Sequence, residues 1–181
     1  MRYTMTIEQL KSHIRVIEDF PKEGIHFQDV TTLFGDRDCL RDLAEKLTAL
    51  YSGKGITKVI GLESRGFIMG SILAERLGAG FVPIRKKGKL PGEKVSEVYE
   101  LEYGTDTMEM HTGSIDENDI VLIHDDLLAT GGSLAAATRL VRRFAPRKIY
   151  LNAIIDLTGC PRTECFPTDL ELETLIKIDE A

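Results

Sequence analysis

Residues 120–141 join an apolar run, two adjacent acids, a Thr-Gly-Gly-Ser turn and an amphipathic stretch, and this feature restricts the fold most. The run from Ile120 to Ile123 is typical of a strand that is buried on both faces of a parallel sheet. Apolar residues recur at helical spacing from Leu134 onward. A buried strand that passes through a tight turn into a helix predicts an α/β fold, with a parallel sheet flanked by helices.

The turn itself has the composition of a phosphate-binding loop. Asp125 and Asp126 follow the apolar run, at the end of the strand where open α/β sheets bind ligands. Gly131 and Gly132 lack a Cβ, so the backbone can turn tightly and approach a ligand. The helix start near Ser133 presents free N–H groups and a positive dipole, which favour phosphate.

Two well-known phosphate loops do not fit these residues. A P-loop requires a Lys after its glycines, and a dinucleotide-binding loop requires Gly-x-Gly-x-x-Gly. Paired carboxylates before a phosphate loop suit a ribose 5-phosphate, because the acids can accept hydrogen bonds from the 2′ and 3′ hydroxyls. The alternative is an ordinary strand-to-helix connection with solvated acids, although two adjacent like charges after a buried strand are unfavourable without a ligand, cation or partner.

Hydrophobic spacing predicts the other elements of one domain of 181 residues. The capping-box pair Thr6 and Gln9 begins a first helix whose apolar stripe includes Ile14 and Ile17, and which ends at Phe20-Pro21. We expect residues 22–34 to be irregular and residues 85–97 to form a mobile surface loop. The remaining predictions are helices at residues 38–51, 67–77 and 133–144, strands at residues 58–62, 81–84, 119–123 and 148–155, and a hairpin of residues 98–101 and 108–111.

Charge and composition exclude several classes of protein. The formal net charge of −6 argues against nucleic acid as the main partner. The basic cluster at residues 85–89 is open to interpretation as a solvated loop or as a polyanion patch. The N-terminus carries polar residues where a signal peptide needs an apolar core, and no apolar stretch approaches bilayer length. Three cysteines give no disulfide framework, and the histidines lack metal-site spacing. We therefore expect a cytoplasmic protein, away from membranes, with reduced thiols.

Residues 125–133, Asp-Asp-Leu-Leu-Ala-Thr-Gly-Gly-Ser, resemble the phosphoribosyl pyrophosphate (PRPP) signature of type I phosphoribosyltransferases. The Leu-Leu-Ala within it is similar to the adenine-specific branch of that family. Residues 20–29, 61–67, 84–92 and 99–104 resemble the same branch in content and order. The resemblance implies a single phosphoribosyltransferase domain over residues 1–181, with a small N-terminal hood from about residues 1–35 and a flexible loop hairpin. It also implies transfer of phosphoribosyl from PRPP to adenine, giving AMP and pyrophosphate in purine salvage.

The resemblance assigns a role to individual residues. Those implied to bind ribose and the 5′-phosphate are Asp125, Asp126, Ala129, Thr130, Gly131, Gly132 and Ser133. Those implied to bind pyrophosphate are Ser64, Arg65, Lys89 and Tyr103. Glu102 would transfer a proton at the purine N7, and the base would meet the backbone of His26 and the ring of Phe27. The resemblance further implies a homodimer, and Mg²⁺ that is bound through pyrophosphate and water rather than directly by the protein.

Several alternatives remain open at the level of sequence. Arg65 at a helix start has the alternative of a solvent-exposed ion pair with Glu63. Gln28 stands where the family usually has Arg, and His124 and Ser133 are milder departures from its pattern. A sibling enzyme that prefers a 6-oxopurine is one rival function. A non-catalytic regulator that senses PRPP is another, although such a protein needs a basic surface or a DNA-binding domain.

Overall fold

The computed structural model describes residues 4–100 and 104–179, which fold around one large sheet. The helices in chain order are α1 (Ile7–Ser12), α2 (Thr31–Gly35), α3 (Arg37–Tyr51), α4 (Gly66–Leu77) and α5 (Gly132–Arg142). The strands are β1 (Arg15–Ile17), β2 (Phe27–Asp29), β3 (Lys58–Leu62), β4 (Gly80–Lys86), β5 (Lys94–Glu100), β6 (Thr105–His111), β7 (Ile120–Leu128), β8 (Lys148–Leu157) and β9 (Glu171–Ile178).

The large sheet has the strand order β5-β6-β4-β3-β7-β8-β9. Strands β4, β3, β7, β8 and β9 are parallel, whereas the β5–β6 hairpin joins the edge at β4 in antiparallel fashion. The segments β3-α4-β4 and β7-α5-β8 are two β-α-β units, as the sequence predicted. Because β3 and β7 are neighbours, the loops that follow their carboxyl ends meet at one edge of the sheet.

Side chains that alternate along the central strands divide the core into two apolar layers. Val59 and Leu122 belong to the layer that includes residues of α3 and α4. Their neighbours Ile60 and Ile123 belong to the layer that includes Leu134 and other residues of α5. Successive residues of a strand point to opposite faces, so a strand that is apolar at every position is covered on both sides.

The N-terminal prediction was right about the cap and wrong about the length of the helix. Thr6 and Gln9 form the capping box, but α1 ends at Ser12. The chain then extends into β1, which pairs with β2 in a small two-stranded sheet, with Arg15 opposite Asp29. The segment 22–34 is therefore not wholly irregular, because it contains β2 and the start of α2.

The central predictions are confirmed, although strands β4, β7 and β8 run further than predicted and α5 ends two residues earlier, at Arg142. Helices α3, α4 and α5 and strands β3, β4, β7 and β8 lie where the sequence placed them, and α4 ends at Gly78 with a left-handed backbone. The expected loop at residues 85–97 was wrong at both ends, because β4 runs to Lys86 and β5 begins at Lys94. Strand β9 was not predicted. The hairpin is confirmed between Lys94 and His111, while Leu101 lies outside the described residues.

Within the described part of the chain, no helix combines the length and the apolar character needed to cross a membrane.

Candidate functional site

The acid pair, Asp125 and Asp126, lies inside the last part of β7 rather than beyond it. The strand continues to Leu128, which pairs with Asp156 of β8. The backbone N–H of Asp126 donates to Asp125 Oδ1 at 2.9 Å. Asp126 is only 5% exposed. Pairing with β8 at Asp125 and Leu127 therefore fixes two adjacent carboxyl groups at the wall of one site.

Burial makes ionisation of the acid pair unfavourable. Burial and the neighbouring Asp126 charge raise the pKa of Asp125 well above its usual value. Burial also raises the pKa of Asp126, although the Arg65 guanidinium opposes that shift. Arg65 Nε lies 2.6 Å from Asp126 Oδ2. Hydroxyl donors or cations that enter the site would stabilise the ionised acids, as expected for the diol of a ribose.

Residues 130–133, called here the phosphate cradle, are the end of the turn after β7 and the first two residues of α5. Gly131 has φ +82°, a left-handed conformation, and its carbonyl accepts from Ala135 N at 2.9 Å in the first turn of α5. Within residues 4–100 and 104–179, the backbone N–H groups of the cradle have no hydrogen-bond acceptor. A row of unpaired amides at the positive end of an 11-residue helix is suited to an anion such as phosphate.

The turn after β3 forms the opposite side of the site. Arg65 precedes α4, and its guanidinium lies over the Phe27 ring at 5.0 Å from the ring centroid as well as against Asp126. The alternative of a solvent-exposed pair between Arg65 and Glu63 is therefore wrong. Gly66 permits the close approach of the two turns, since a Cβ there would lie 3.2 Å from Asp125 Oδ1.

Glu63 instead binds donors at the end of β4 and just beyond it. It accepts hydrogen bonds from Lys89 Nζ at 2.9 Å, from the Lys86 backbone N–H at 2.8 Å and from Arg85 at 3.3 Å. Burial alone would raise the pKa of Glu63, but these donors outweigh it and lower the pKa to about 2. Glu63 is thus ionised at neutral pH and keeps Lys89 and Arg85 beside the cavity.

A cavity of about 710 Å³ lies between the two turns. It is lined by all ten of the predicted ribose-, phosphate- and pyrophosphate-binding residues that the structure describes, namely Ser64, Arg65, Lys89, Asp125, Asp126, Ala129, Thr130, Gly131, Gly132 and Ser133. Glu63 and Lys86 line it as well. Positive side chains, carboxylates and free amides therefore meet in one space large enough for a phosphorylated sugar.

The predicted base-binding residues lie beside this cavity rather than in its lining. The Phe27 and Phe20 rings pack edge to face, with 5.2 Å between their centroids. The Arg65 guanidinium lies over the face of the Phe27 ring. His26 Nε2 lies 3.2 Å from the exposed carboxylate of Glu18. Gln28 is buried and donates from Nε2 to the His26 carbonyl at 3.3 Å. Predicted residues Glu102 and Tyr103 lie outside the described residues.

Two features of the site escaped the sequence analysis. Tyr99 of β5 is buried and lines a small pocket with Asp125 and Ser133, and its hydroxyl donates to Asp106 at 3.3 Å. Burial and the Asp106 charge raise the pKa of Tyr99 to about 12, so the phenol stays protonated. Glu63 was quoted within a motif but given no role of its own. Glu63 and Tyr99 both lie in motifs that the sequence shows, residues 61–67 and 99–104, but their contacts depend on strand pairings between distant segments.

Comparison with known proteins agrees with this geometry. A family model described as a phosphoribosyl transferase domain matches residues 37–162. The chain is 56% identical over 174 residues to an adenine phosphoribosyltransferase from Phocaeicola vulgatus, covering 96% of this chain and 100% of that protein.

Solved structures of similar proteins cover almost the whole chain. The crystal structure of adenine phosphoribosyltransferase from Rhodothermus marinus has a TM-score of 0.89 at 46% identity, over 95% of this chain and 98% of that one. The enzyme from Giardia lamblia, complexed with 9-deazaadenine, has a TM-score of 0.91 at 36% identity, over 98% of this chain and 100% of that one. The resemblance that the sequence motifs indicated is confirmed.

Proposed function

We infer the function from one premise, which is that this chain belongs to the phosphoribosyltransferase family, among relatives that are adenine phosphoribosyltransferases. It transfers the phosphoribosyl group of PRPP to adenine and releases AMP and pyrophosphate. The observation that carries this conclusion is the single cavity that the acid pair and the phosphate cradle share. The relatives described above are named adenine phosphoribosyltransferases. Their names support adenine as the substrate rather than a 6-oxopurine, and they support an enzyme rather than a non-catalytic regulator.

The 5′-phosphate of PRPP occupies the phosphate cradle in our proposal, and the ribose hydroxyls donate to Asp125 and Asp126. Free amides at the start of α5 supply the positive partial charge that the phosphate needs. Donation from the 2′ and 3′ hydroxyls, in turn, stabilises the ionised form of acids whose burial otherwise favours protonation. The phosphate of the ligand thus faces amide donors, and its ribose hydroxyls face carboxylate acceptors.

Pyrophosphate takes the side of the cavity formed by Ser64, Arg65 and Lys89, with Tyr103 added from the family resemblance. Both cations are paired with carboxylates, Arg65 with Asp126 and Lys89 with Glu63. When PRPP binds, its ribose hydroxyls replace Arg65 at Asp126, and the guanidinium turns to the pyrophosphate oxygens. A planar guanidinium can grip two such oxygens at once, which suits a leaving group on which charge accumulates.

Mg²⁺ fits this site as a companion of pyrophosphate rather than as a resident metal. Within the described residues, no group of three or more His, Cys, Asp or Glu side chains could hold a metal ion. The acid pair and Glu63 offer only oxygen donors, which Mg²⁺ prefers, and it commonly keeps several waters and substrate phosphates as ligands. When bound, Mg²⁺ supplies neutralisation of the pyrophosphate charge. Chelation should therefore abolish turnover, and added Mg²⁺ should restore it.

Glu102 is our proposed proton acceptor, on the strength of its family motif. In the reaction, the adenine N9 lone pair forms the bond to C1′ while the bond from C1′ to pyrophosphate breaks, and its electrons remain on the departing oxygen. The proton at N7 passes to the Glu102 carboxylate. Replacement by Gln should lower kcat by about 10²–10⁴-fold and spare AMP binding.

The base site in our proposal uses the backbone of His26 and the ring of Phe27. A peptide group can read the edge of adenine whatever the side chain, and an aromatic face adds stacking. The Gln28 side chain donates to the His26 carbonyl and so helps to orient the backbone here, which supports a backbone role. Replacing Phe27 by Ala should raise the KM for adenine more than the KM for PRPP.

Two properties of the whole molecule are also proposed. Homodimer formation is proposed from the family resemblance, which implies an interface near α4, the helix that begins beside Arg65. A cytoplasmic location is supported by Cys39 and Cys165, which form no disulfide within the described part of the chain. Sedimentation of the purified protein would test the first proposal, and fractionation of cells would test the second.

A base-specificity assay tests the function directly. Purified protein would be supplied with PRPP and Mg²⁺, together with adenine, hypoxanthine or guanine, and nucleotide formation would be followed. We expect adenine to give the highest kcat/KM. Preference for a 6-oxopurine would assign the chain to the sibling enzymes, and PRPP binding without turnover on any base would support the regulator instead.

A further inference from the structure

Arg162 lies behind the phosphate cradle, on the segment that follows β8. Its Nη1 donates to the carbonyl oxygen of Ala129, and it also reaches the carbonyls of Leu157 at 3.2 Å and Cys160 at 3.4 Å. Its Nη2 pairs with the carboxylate of Asp156. One guanidinium thus joins the end of β8 to the residue that enters the cradle.

The same segment makes two more contacts with the cradle. Thr163 donates from its backbone N–H to the Thr130 carbonyl at 2.9 Å. The Phe166 ring packs so closely against Gly131 that a Cβ there would lie 2.4 Å from it. Arg162, Thr163 and Phe166 therefore hold three consecutive residues of the turn from the side away from the cavity.

These contacts determine which way the cradle amides point. In a trans peptide, the C=O and the following N–H point in opposite directions. Because Arg162 holds the Ala129 carbonyl and Thr163 holds the Thr130 carbonyl, the N–H groups of Thr130 and Gly131 are turned toward the cavity. Without the guanidinium, the peptide between Ala129 and Thr130 loses its charged donor and can rotate, which would take one amide away from the ligand.

We propose that Arg162 is a positioning residue that orients the cradle amides for the 5′-phosphate of the substrate. This inference rests on the proposed function and deepens it. Arg suits the position because its planar fork reaches carbonyl oxygens and the Asp156 carboxylate together. A Lys at this position would keep the charge, but its compact ammonium group would not reach the carbonyl oxygens and the Asp156 carboxylate at the same time.

The test compares R162Q and R162K with a control, R142Q. Arg142 pairs with Asp169 at 2.5 Å and is half exposed, so its loss leaves the cradle intact. For R162Q we expect the KM for PRPP and the Kd for ribose 5-phosphate to rise by about 10–100-fold, the effect of losing charged hydrogen bonds. R162K should show a smaller rise, and R142Q should stay within about twofold of the wild type.

A structural role without orientation would give a different pattern. We expect the KM for adenine and the kcat of R162Q to change far less than the KM for PRPP. Equal loss of affinity for adenine and ribose 5-phosphate, or an unchanged Kd for ribose 5-phosphate, would overturn the proposal. If R162Q does not fold, R162K and D156N, which perturb the same contacts more mildly, must show the same selective loss.

The proposed function can fail separately from this inference. Absence of turnover by the wild-type protein with adenine would contradict the function. The Kd for ribose 5-phosphate would still decide the role of Arg162, because it does not depend on catalysis.

Discussion

Replacement of Gly131 by Ala should damage both the stability and the phosphate affinity of this protein. Gly131 has φ +82°, and a Cβ on it would lie 2.4 Å and 2.8 Å from two atoms of the Phe166 ring and 3.3 Å from a Leu128 methyl. The new methyl group therefore meets two separate costs. One arises from the backbone conformation and the other from the collision with Phe166.

The two costs can be estimated separately. A left-handed conformation costs an L-residue about 1–2 kcal/mol relative to glycine, and an added methyl without space costs about 1–3 kcal/mol more. Gly131→Ala should thus lower the free energy of unfolding by about 2–5 kcal/mol, a large part of the about 5–15 kcal/mol that stabilises a typical domain. Gly53 is a matched control, because its φ is +79° and a Cβ there has nothing within 4 Å. Gly53→Ala should cost only the first amount.

Urea denaturation of both variants measures the difference in their free energies of unfolding. A double-mutant cycle shows whether contact with Phe166 causes that difference. If Phe166 causes the second cost, Gly131→Ala combined with Phe166→Ala should be less destabilising than the sum of the single changes by about 1–3 kcal/mol. Displacement of the cradle should also raise the KM for PRPP in Gly131→Ala and leave it unchanged in Gly53→Ala. Equal destabilisation by the two glycine variants, or an additive cycle, would refute this reasoning.

Three further predictions concern charge and chemistry at the site. Asp125→Asn should raise the Tm of the ligand-free protein at pH 7 by a few degrees while weakening PRPP binding. The raised pKa of Asp125 means that the folded state binds its proton more tightly than the unfolded state, so this gain should vanish below about pH 3.8. Glu63 has the opposite effect, because its pKa is lowered in the folded state. Ionised Glu63 should stabilise the protein fully above about pH 4.5, and this stabilisation should disappear as the pH falls toward 2. The stability of Glu63→Gln should lack this pH dependence. Glu102→Gln should reduce kcat without raising the Kd for AMP, and a variant with wild-type turnover would remove Glu102 from the mechanism.

The parts of the fold that the sequence predicted well are those with local causes. Helix α3 begins after Asp36, whose side chain accepts from the N–H groups of Asp38 and Cys39, and helix α4 ends at Gly78. Strand β7 is apolar before its acids, and it feeds directly into α5. Each of these signals depends on residues that are close in sequence, so it can be recognised without the structure.

The errors fall where distant segments decide the outcome. Ile14 and Ile17 continue the apolar spacing of α1, yet the chain extends there because β1 pairs with β2 and Arg15 meets Asp29. Residues 94–97 are polar except for Val95 and were expected to lie in a loop, but they pair with β6. Strand β9 is held by its parallel register with β8. Pairing of this kind is set by the sheet as a whole and overrides local composition.

The functional site likewise has parts that the sequence predicted and parts that it did not. Motifs identified the residues that line the cavity, because phosphate loops need particular residue types at fixed spacing. The partners of those residues were not predictable. Arg65 meets Asp126 rather than Glu63, Glu63 meets Lys89, and Arg162 reaches the Ala129 carbonyl only because β8 returns beside β7. Such contacts cross long stretches of sequence and follow from the tertiary fold.

A crystal structure with AMP bound would test the central claim most directly. We expect the 5′-phosphate to lie within hydrogen-bond distance of the backbone amides of residues 130–133. We also expect the ribose hydroxyls to contact Asp125 and Asp126, in place of the Arg65 guanidinium. A nucleotide whose phosphate lies elsewhere, with the cradle amides and the acid pair untouched, would contradict the assignment of this site.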